Sequence, residues 1–220
     1  MKTSSVLLFA IPVSACGIAY ALARLVSADT ASTPSEDQTV IITSGTKHAA
    51  TPEMIAGTRA LESRPAPTFQ AGSADGKSYS LQDLSRQGPL ALIFIKDGCP
   101  CSVAAEPYYN RLHDAYGSDV KFFGIIDGDR EVAQKWAREN QVEFPVLCDP
   151  DLKIVREYKA ENSAYFALVA PGGKIEKYWP GYSVNMLKEA NERLARISGR
   201  EMKPVYVTDA PDELYSGCPY

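Results

Sequence analysis

The sequence has few histidines, no run of basic residues and no internal repeat. Its 220 residues contain only His48 and His113, which argues against a multi-histidine metal site. Lys and Arg are scattered and the formal net charge is -4, so the chain offers no basic surface for a nucleic acid. We expect no cofactor and no resident metal, and the five cysteines become the main candidates for chemistry.

Charge is also missing near the N-terminus, where no Asp, Glu, Lys, Arg or His occurs between Lys2 and Arg24. Residues 5–23 are long and apolar enough to span a bilayer, which needs about 20 residues. A cleaved signal peptide fits equally well, and a lipoprotein signal ending at Cys16 is a third alternative. We therefore interpret 1–28 as a signal peptide or single membrane anchor. Each alternative places the rest of the chain in the cell envelope, either anchored on the non-cytoplasmic side or secreted or periplasmic.

Three further regions are predicted from composition. Residues 29–62 are rich in small polar side chains and are interpreted as a polar linker. Residues 63–199 have the apolar patterns of a folded domain. Residues 200–220 form a polar tail, predicted to be mobile, that carries Cys218.

Strands and helices alternate along the domain. A continuous apolar run at 90–95 predicts a strand buried on both faces, and helical spacing of apolar residues begins just after it. The pattern predicts further strands at 120–126, 144–147, 165–169 and 174–179, and helices at 130–140, 151–159 and 184–197. This alternation indicates an α/β fold with a mixed central sheet covered by helices on both faces.

The sequence Gly-Cys-Pro-Cys-Ser at 98–102 lies where the buried strand gives way to the helix. Cys99 falls at the predicted helix N-cap, and Pro100 falls at the first helical position, where proline is tolerated. A helix N-terminus favours a thiolate, the reactive form of cysteine, and lowers its pKa. Active sites of open α/β sheets lie at the carboxyl ends of strands, so both arguments select Cys99.

Several short motifs together resemble the thioredoxin-like superfamily, and specifically its redoxin branch. This branch includes the alkyl hydroperoxide reductase/thiol-specific antioxidant family and related thiol–disulfide oxidoreductases. The motifs are Ala-Pro-Thr-Phe at 66–69, Asp-Gly-Lys at 75–77, Leu-Ile-Phe at 92–94 before Cys99-Pro100, Pro107, Phe-Pro-Val-Leu at 144–147, Asp-Pro-Asp at 149–151 and Ala-Pro-Gly-Gly-Lys-Ile at 170–175. The resemblance implies a thioredoxin-like three-layer sandwich and a thiol-dependent oxidoreductase.

The chain departs from the family pattern at several positions. Dithiol members carry Cys-X-X-Cys, but here Ser102 holds the place of the second cysteine, and Cys101 comes one residue earlier. Peroxide-reducing members carry Thr or Ser, and further upstream Pro, at the positions of Lys96 and Leu92. The region that aligns with the usual cis-proline is 163–165, which has no proline.

The resemblance implies Cys99 as the nucleophile, with Cys101 or Cys218 as the resolving thiol. Against Cys101, a Cys99–Cys101 disulfide would close a small strained ring, and residues two apart on a helix point to different sides. Cys148 is interpreted as a small buried hydrophobe. Substrate docking is predicted at Pro100 and at the aligned loop of Ser163, Ala164 and Tyr165.

The preferred function is an exported thiol–disulfide oxidoreductase acting on a protein partner. One alternative is a peroxiredoxin-like thiol peroxidase, in which peroxide would convert Cys99 to a sulfenic acid. Another is a non-enzymatic module or a copper(I) metallochaperone, because two close thiolates suit a soft ion. Related copper proteins use a longer cysteine spacing and a nearby histidine, which are not found here. The sequence gives no oligomeric state.

Overall fold

The computed structural model describes residues 48–220. The interpretations of 1–28 and of residues 29–47 fall outside this range. Within residues 48–220, no helix is both long enough and apolar enough to cross a membrane.

The described residues form fifteen elements. In chain order they are β1 (His48–Ala49), α1 (Pro52–Arg59), β2 (Gln70–Gly72), β3 (Ser78–Ser80), α2 (Leu81–Gln87), β4 (Leu90–Ile95), α3 (Pro100–Tyr116), β5 (Lys121–Ile126), α4 (Arg130–Glu139), β6 (Val146–Cys148), α5 (Lys153–Glu157), β7 (Phe166–Val169), β8 (Ile175–Trp179), α6 (Val184–Ser198) and β9 (Tyr215–Ser216).

A five-stranded sheet in the order β6-β5-β4-β7-β8 forms the centre of the fold. β4 pairs in parallel with β5 and antiparallel with β7, so the sheet is mixed. All six residues of β4 are buried. Because side chains alternate along a strand, they supply both faces of the sheet. One face packs against α3, α4 and α6, and the other against α2 and α5. The predicted thioredoxin-like three-layer fold is thereby confirmed.

Residues 48–62 differ from the predicted linker. They contain β1 and the helix α1, whose N-cap Thr51 accepts a hydrogen bond from the backbone N–H of Met54. Pro52 opens the helix at a position where proline costs nothing. Met54 and Leu61 pack against the core on the face of the sheet that α2 and α5 cover. These apolar residues are too few and too widely spaced to predict a packed helix from sequence.

The tail 200–220 is docked against the domain, which corrects the prediction of a mobile terminus. Its start is held by Tyr116, whose hydroxyl accepts a hydrogen bond from the backbone N–H of Lys203 at 3.0 Å. Farther along, β9 pairs antiparallel with β1. At Gly181, a Cβ would lie 2.2 Å from the carbonyl oxygen of Tyr215, so only glycine lets the tail approach so closely.

Candidate active site

The candidate active site lies at the junction between β4 and α3. The structure places Cys99 at the N-cap of α3 with an extended backbone, φ -88° and ψ 116°, and Pro100 opens the helix. Both positions agree with the sequence-based prediction. The Cys99 side chain is only 1% exposed, so other parts of the chain cover this helix start.

Three sulfur atoms converge at this position. The Sγ atoms of Cys99, Cys101 and Cys218 all lie within 4.8 Å of one another, and all three cysteines are free thiols. The helical argument that separates Cys99 from Cys101 does not hold here. Cys99 has extended rather than helical dihedrals, so the angular spacing of a helix does not apply between positions 99 and 101. Cys218 arrives from the docked tail, 119 residues away in sequence.

Two donors point at the sulfur of Cys99. The backbone N–H of Cys218 donates a hydrogen bond to Cys99 Sγ at 3.1 Å, and the hydroxyl of Ser163 donates another at 3.4 Å. Hydrogen bonds to the charged form of an acid stabilise that form. The tail and the loop at 163 therefore stabilise a Cys99 thiolate together with the helix N-terminus.

A chain of hydrogen bonds orients the Ser163 hydroxyl. The backbone N–H of Lys96 donates to Ser102 Oγ at 3.3 Å, and the Ser102 hydroxyl donates to Ser163 Oγ at 2.9 Å. Because Ser163 Oγ accepts from Ser102, its own proton is directed toward Cys99. Sequence reasoning treated Ser102 only as a missing cysteine. Its place in the Cys-X-X-Cys spacing was the available signal that this side chain points into the site.

The thiols differ in acidity. Burial raises the pKa of Cys99, but hydrogen bonds from the Cys218 thiol, Ser163 and two backbone N–H groups outweigh it and lower that pKa to about 7. Burial, and then the hydrogen bond and charge of Cys99, raise the pKa of Cys218 to about 12. Burial and the charge of Cys99 also raise the pKa of Cys101. Cys99 is therefore the thiolate of the cluster near neutral pH.

The predicted docking residues occupy different surroundings. Ser163 faces Cys99, whereas Ala164 takes a left-handed backbone with φ 60° and uses its carbonyl to accept from Tyr109. Tyr165 is fully buried and packs edge-to-face against Tyr178, so its ring offers no surface to a partner. Pro100 is exposed beside the site. Within residues 48–220 every peptide bond is trans.

Cys148 and Lys96 are not members of the three-cysteine cluster. Cys148 ends β6 and packs against the core, but it is half-buried rather than buried as predicted. Lys96 forms an ion pair with Asp127, 3.3 Å between Nζ and Oδ2. The Asp127 carboxylate therefore offsets the charge of Lys96.

The tail forms a lid over Cys99. The backbone N–H of Ser163 donates to the carbonyl of Cys218 at 3.0 Å, and the N–H of Gly217 donates to the carbonyl of Ser163 at 2.7 Å. The Asn162 amide donates to Ser216 Oγ and to the Gly217 carbonyl. The Tyr220 hydroxyl donates to the carbonyl of Ile95 at 3.0 Å, at the end of β4. We call residues 215–220 the lid.

Solved structures share this fold at low sequence identity. The thioredoxin domain of a Bacteroides vulgatus thiol–disulfide oxidoreductase aligns with a TM-score of 0.53 and 19% identity, over 60% of this chain and 97% of that one. A secreted Mycobacterium tuberculosis disulfide oxidoreductase aligns with a TM-score of 0.50 and 22% identity, over 58% and 95%. The Xanthomonas campestris bacterioferritin comigratory protein aligns with a TM-score of 0.52 and 15% identity, over 59% and 92%.

Sequence comparison gives a family assignment. A Helicobacter pylori protein assigned as a peroxiredoxin, bcp, is 26% identical over 96 residues, which cover 43% of this chain. The match spans 63% of the Helicobacter protein's own length. The AhpC/TSA family model matches residues 63–182, more than half of the chain. The chain therefore belongs to the AhpC/TSA family, built on a thioredoxin-like fold.

Proposed function

We propose that this chain is a thiol–disulfide oxidoreductase in which Cys99 attacks a partner disulfide and Cys218 resolves the intermediate. The observation that carries the proposal is the contact between these residues. The N–H of Cys218 lies 3.1 Å from Cys99 Sγ, and the two sulfurs are within 4.8 Å. Family membership and the oxidoreductases that share the fold support the same chemistry.

The reaction proceeds by two thiol–disulfide exchanges. The Cys99 thiolate forms a bond to one sulfur of the partner disulfide, and the other sulfur leaves as a thiolate that takes up a proton. The Cys218 thiolate then attacks Cys99 Sγ and releases the second partner thiol. The partner disulfide is reduced to two thiols, while Cys99 and Cys218 are oxidised to a disulfide that an external dithiol must reduce.

The electrostatics favour this order of events. Burial first, and then the Cys99 thiolate, hold the pKa of Cys218 high in the resting protein. Once Cys99 is bound in a mixed disulfide, its negative charge is gone, and burial and the neighbouring Cys101 are left to raise the pKa of Cys218. Cys218 thus gains nucleophilicity at the stage that needs it. Cys101 is a poorer resolving thiol because the ring it would close is small and strained.

A trapping experiment tests the proposal. The full-length chain carries Cys16→Ser, so that four thiols remain, and is mixed after reduction with a fluorescent peptide disulfide. Cys218→Ser should accumulate the mixed disulfide on Cys99, identified by mass spectrometry, while the matched variant Cys101→Ser should resolve it like the parent. Accumulation in Cys101→Ser together with rapid resolution in Cys218→Ser would contradict the assignment.

Peroxide reduction is a second candidate function, supported by the burial of Cys99. With the lid docked, this thiol is 1% exposed, which suits a substrate as small as a hydroperoxide better than a protein. Peroxide would transfer one oxygen to the Cys99 thiolate and leave as alcohol or water. Cys218 would then displace water from the sulfenic acid and form the disulfide. Stopped-flow peroxide consumption that exceeds peptide-disulfide reduction would establish this alternative.

We also propose that the chain acts in the cell envelope. The support is the uncharged stretch between Lys2 and Arg24, which fits an anchor or an export signal. Fractionation of cells expressing the chain with a C-terminal epitope should find it with the membrane or outside the cytoplasm. Removal of 1–28 should return it to the cytoplasm.

A further inference from the structure

The proposed redox cycle uses Cys99 and Cys218 and leaves Cys101 without a role. Its sulfur nevertheless lies within 4.8 Å of both of the others, on the helix that positions Cys99. We propose that Cys99, Cys101 and Cys218 together form a trithiolate binding site for copper(I). This inference does not depend on the redox function, since it requires only that the three thiols are reduced and close.

The spacing of the sulfurs fits one metal ion. Metal–thiolate bonds are about 2.3 Å long, so an ion at the centre of three sulfurs places them about 4.0 Å apart. The cluster already lies within 4.8 Å before any ion is bound. Cys101 and Cys218 are half-buried, and small side-chain rotations from the helix start and the lid would close the remaining gap.

The donor set selects the ion. In residues 48–220 this cluster consists of three sulfurs, with no imidazole or carboxylate among its members. Thiolates prefer soft ions and select copper(I), whereas zinc takes four ligands in structural sites. Besides the three thiols, the Ser163 hydroxyl also contacts Cys99 Sγ, and a neutral hydroxyl is a poor fourth ligand. A three-coordinate site made of sulfur alone therefore favours copper(I) over zinc.

Copper(I) and a partner disulfide would compete for the same sulfur. Binding forms three copper–sulfur bonds, releases the thiol protons to solvent and leaves the oxidation state of the metal unchanged. It would occupy the lone pairs of Cys99 that attack a disulfide. It would also tie the lid to the start of α3, because Cys218 belongs to one and Cys101 to the other.

Copper(I) titration tests the site. The full-length chain in the Cys16→Ser background is reduced and titrated anaerobically with copper(I) against the chromophoric chelator bicinchoninate. We expect one ion per chain and an X-ray absorption spectrum with sulfur alone in the first shell. Cys99→Ser, Cys101→Ser and Cys218→Ser should each weaken binding by at least about tenfold, since even outer-shell changes cost about 10–100-fold. Cys148→Ser is the matched control and should bind like the parent.

Cys101→Ser separates this proposal from the redox function. It should lose copper(I) affinity while keeping the peptide-disulfide turnover of the parent, which also shows that it has folded. Copper(I) binding that is unchanged in Cys101→Ser would overturn the trithiolate site and leave the redox function intact. Retention of zinc against a zinc chelator, without retention of copper(I), would overturn the choice of ion.

Discussion

Ser163 and Ser102 have more influence on the reactive sulfur than their residue types suggest. Ser102 Oγ accepts a hydrogen bond from the backbone N–H of Lys96, and the Ser102 hydroxyl donates a hydrogen bond to Ser163 Oγ. The Ser163 hydroxyl in turn donates to Cys99 Sγ. A side chain at the second-cysteine position thus orients a donor instead of supplying a thiol. Two neutral hydroxyls stabilise the thiolate without placing a charge beside it.

Ser163→Ala should make Cys99 less acidic. The lost hydrogen bond favours the charged form and is worth about 1.5–3 kcal/mol, so the pKa of Cys99 should rise above its value of about 7. The rate of iodoacetamide modification at pH 7 should fall, and its midpoint should move to higher pH. A pH–rate profile of Cys99 labelling by mass spectrometry measures both.

Ser118→Ala provides the control for that profile. Within residues 48–220, the Ser118 hydroxyl donates only to the neighbouring Asp119 and has no bond to the thiol cluster. A profile of Ser163→Ala that overlays this control would show that the hydroxyl does not act on the Cys99 thiolate.

At the scale of elements, the lid and the loop at 161–163 lie side by side as extended backbones. They exchange hydrogen bonds between Ser163 and both Gly217 and Cys218, so the lid occupies the groups that an added peptide strand would use. A protein partner that docks by strand addition must first displace the lid. The lid therefore carries the resolving thiol Cys218 and also blocks the backbone groups to which a partner strand would bind.

Gly217→Ala should open the lid. A Cβ at position 217 would lie 2.0 Å from Ser163 Oγ and 2.8 Å from its carbonyl carbon, so the tail must move away. Losing a few hydrogen bonds worth about 1–3 kcal/mol in total should raise Cys99 alkylation about tenfold. The rate is compared at pH 9.5, where Cys99 is a thiolate in both proteins.

Gly57→Ala is the matched substitution for this comparison. Among residues 48–220, a Cβ at Gly57 in α1 meets nothing within 4 Å. Equal alkylation rates for Gly217→Ala and Gly57→Ala would contradict the role of Gly217 in closing the lid.

The same two elements show what the sequence could predict. The apolar run of β4 and the proline at the start of α3 placed Cys99 correctly, because burial on both faces and helix capping are local signals. The approach of Cys218 was offered only as one option. The tail is docked by backbone hydrogen bonds and by the Asn162 side chain. Such contacts require no regular spacing of hydrophobic residues, so the sequence of the tail does not reveal them. The packing of α1 was missed because its apolar contacts, Met54 and the following Leu61, are too few to form a recognisable pattern.

At the scale of the whole molecule, one buried carboxyl group makes stability depend on pH. Glu106 in α3 is 1% exposed, and within residues 48–220 neither of its carboxylate oxygens has a hydrogen-bond partner. Burial raises its pKa to about 8. In the unfolded chain the carboxyl ionises near pH 4.5, the usual value. Between these two values the folded state holds a proton that the unfolded state has lost.

The consequence is that stability falls as pH rises through this interval. One extra bound proton in the folded state lowers the free energy of unfolding by on the order of 1 kcal/mol per pH unit. Glu106→Gln should remove that dependence and be more stable than the parent at pH 7. Urea unfolding at pH 5, 6, 7 and 8 gives the difference between the two proteins.

Glu192→Gln supplies the comparison, since Glu192 is an exposed residue of α6. It should keep the pH dependence of the parent. If Glu106→Gln kept it too, the carboxyl of Glu106 would not be the group responsible.

The pairing of β1 with β9 has a mechanical consequence. The lid begins at β9, and β1 is the first described strand, so the cover of the reactive thiol is latched to the upstream end of the domain. Few hydrogen bonds hold this latch. The N–H of Ala50 donates to the carbonyl of Leu214 at 2.8 Å, and the Ser216 hydroxyl donates to the carbonyl of His48 at 3.2 Å. A pull on the chain ahead of His48 would load these bonds before the central sheet. Tension would then uncover Cys99, and single-molecule stretching in the presence of a disulfide probe would register it as force-dependent reactivity.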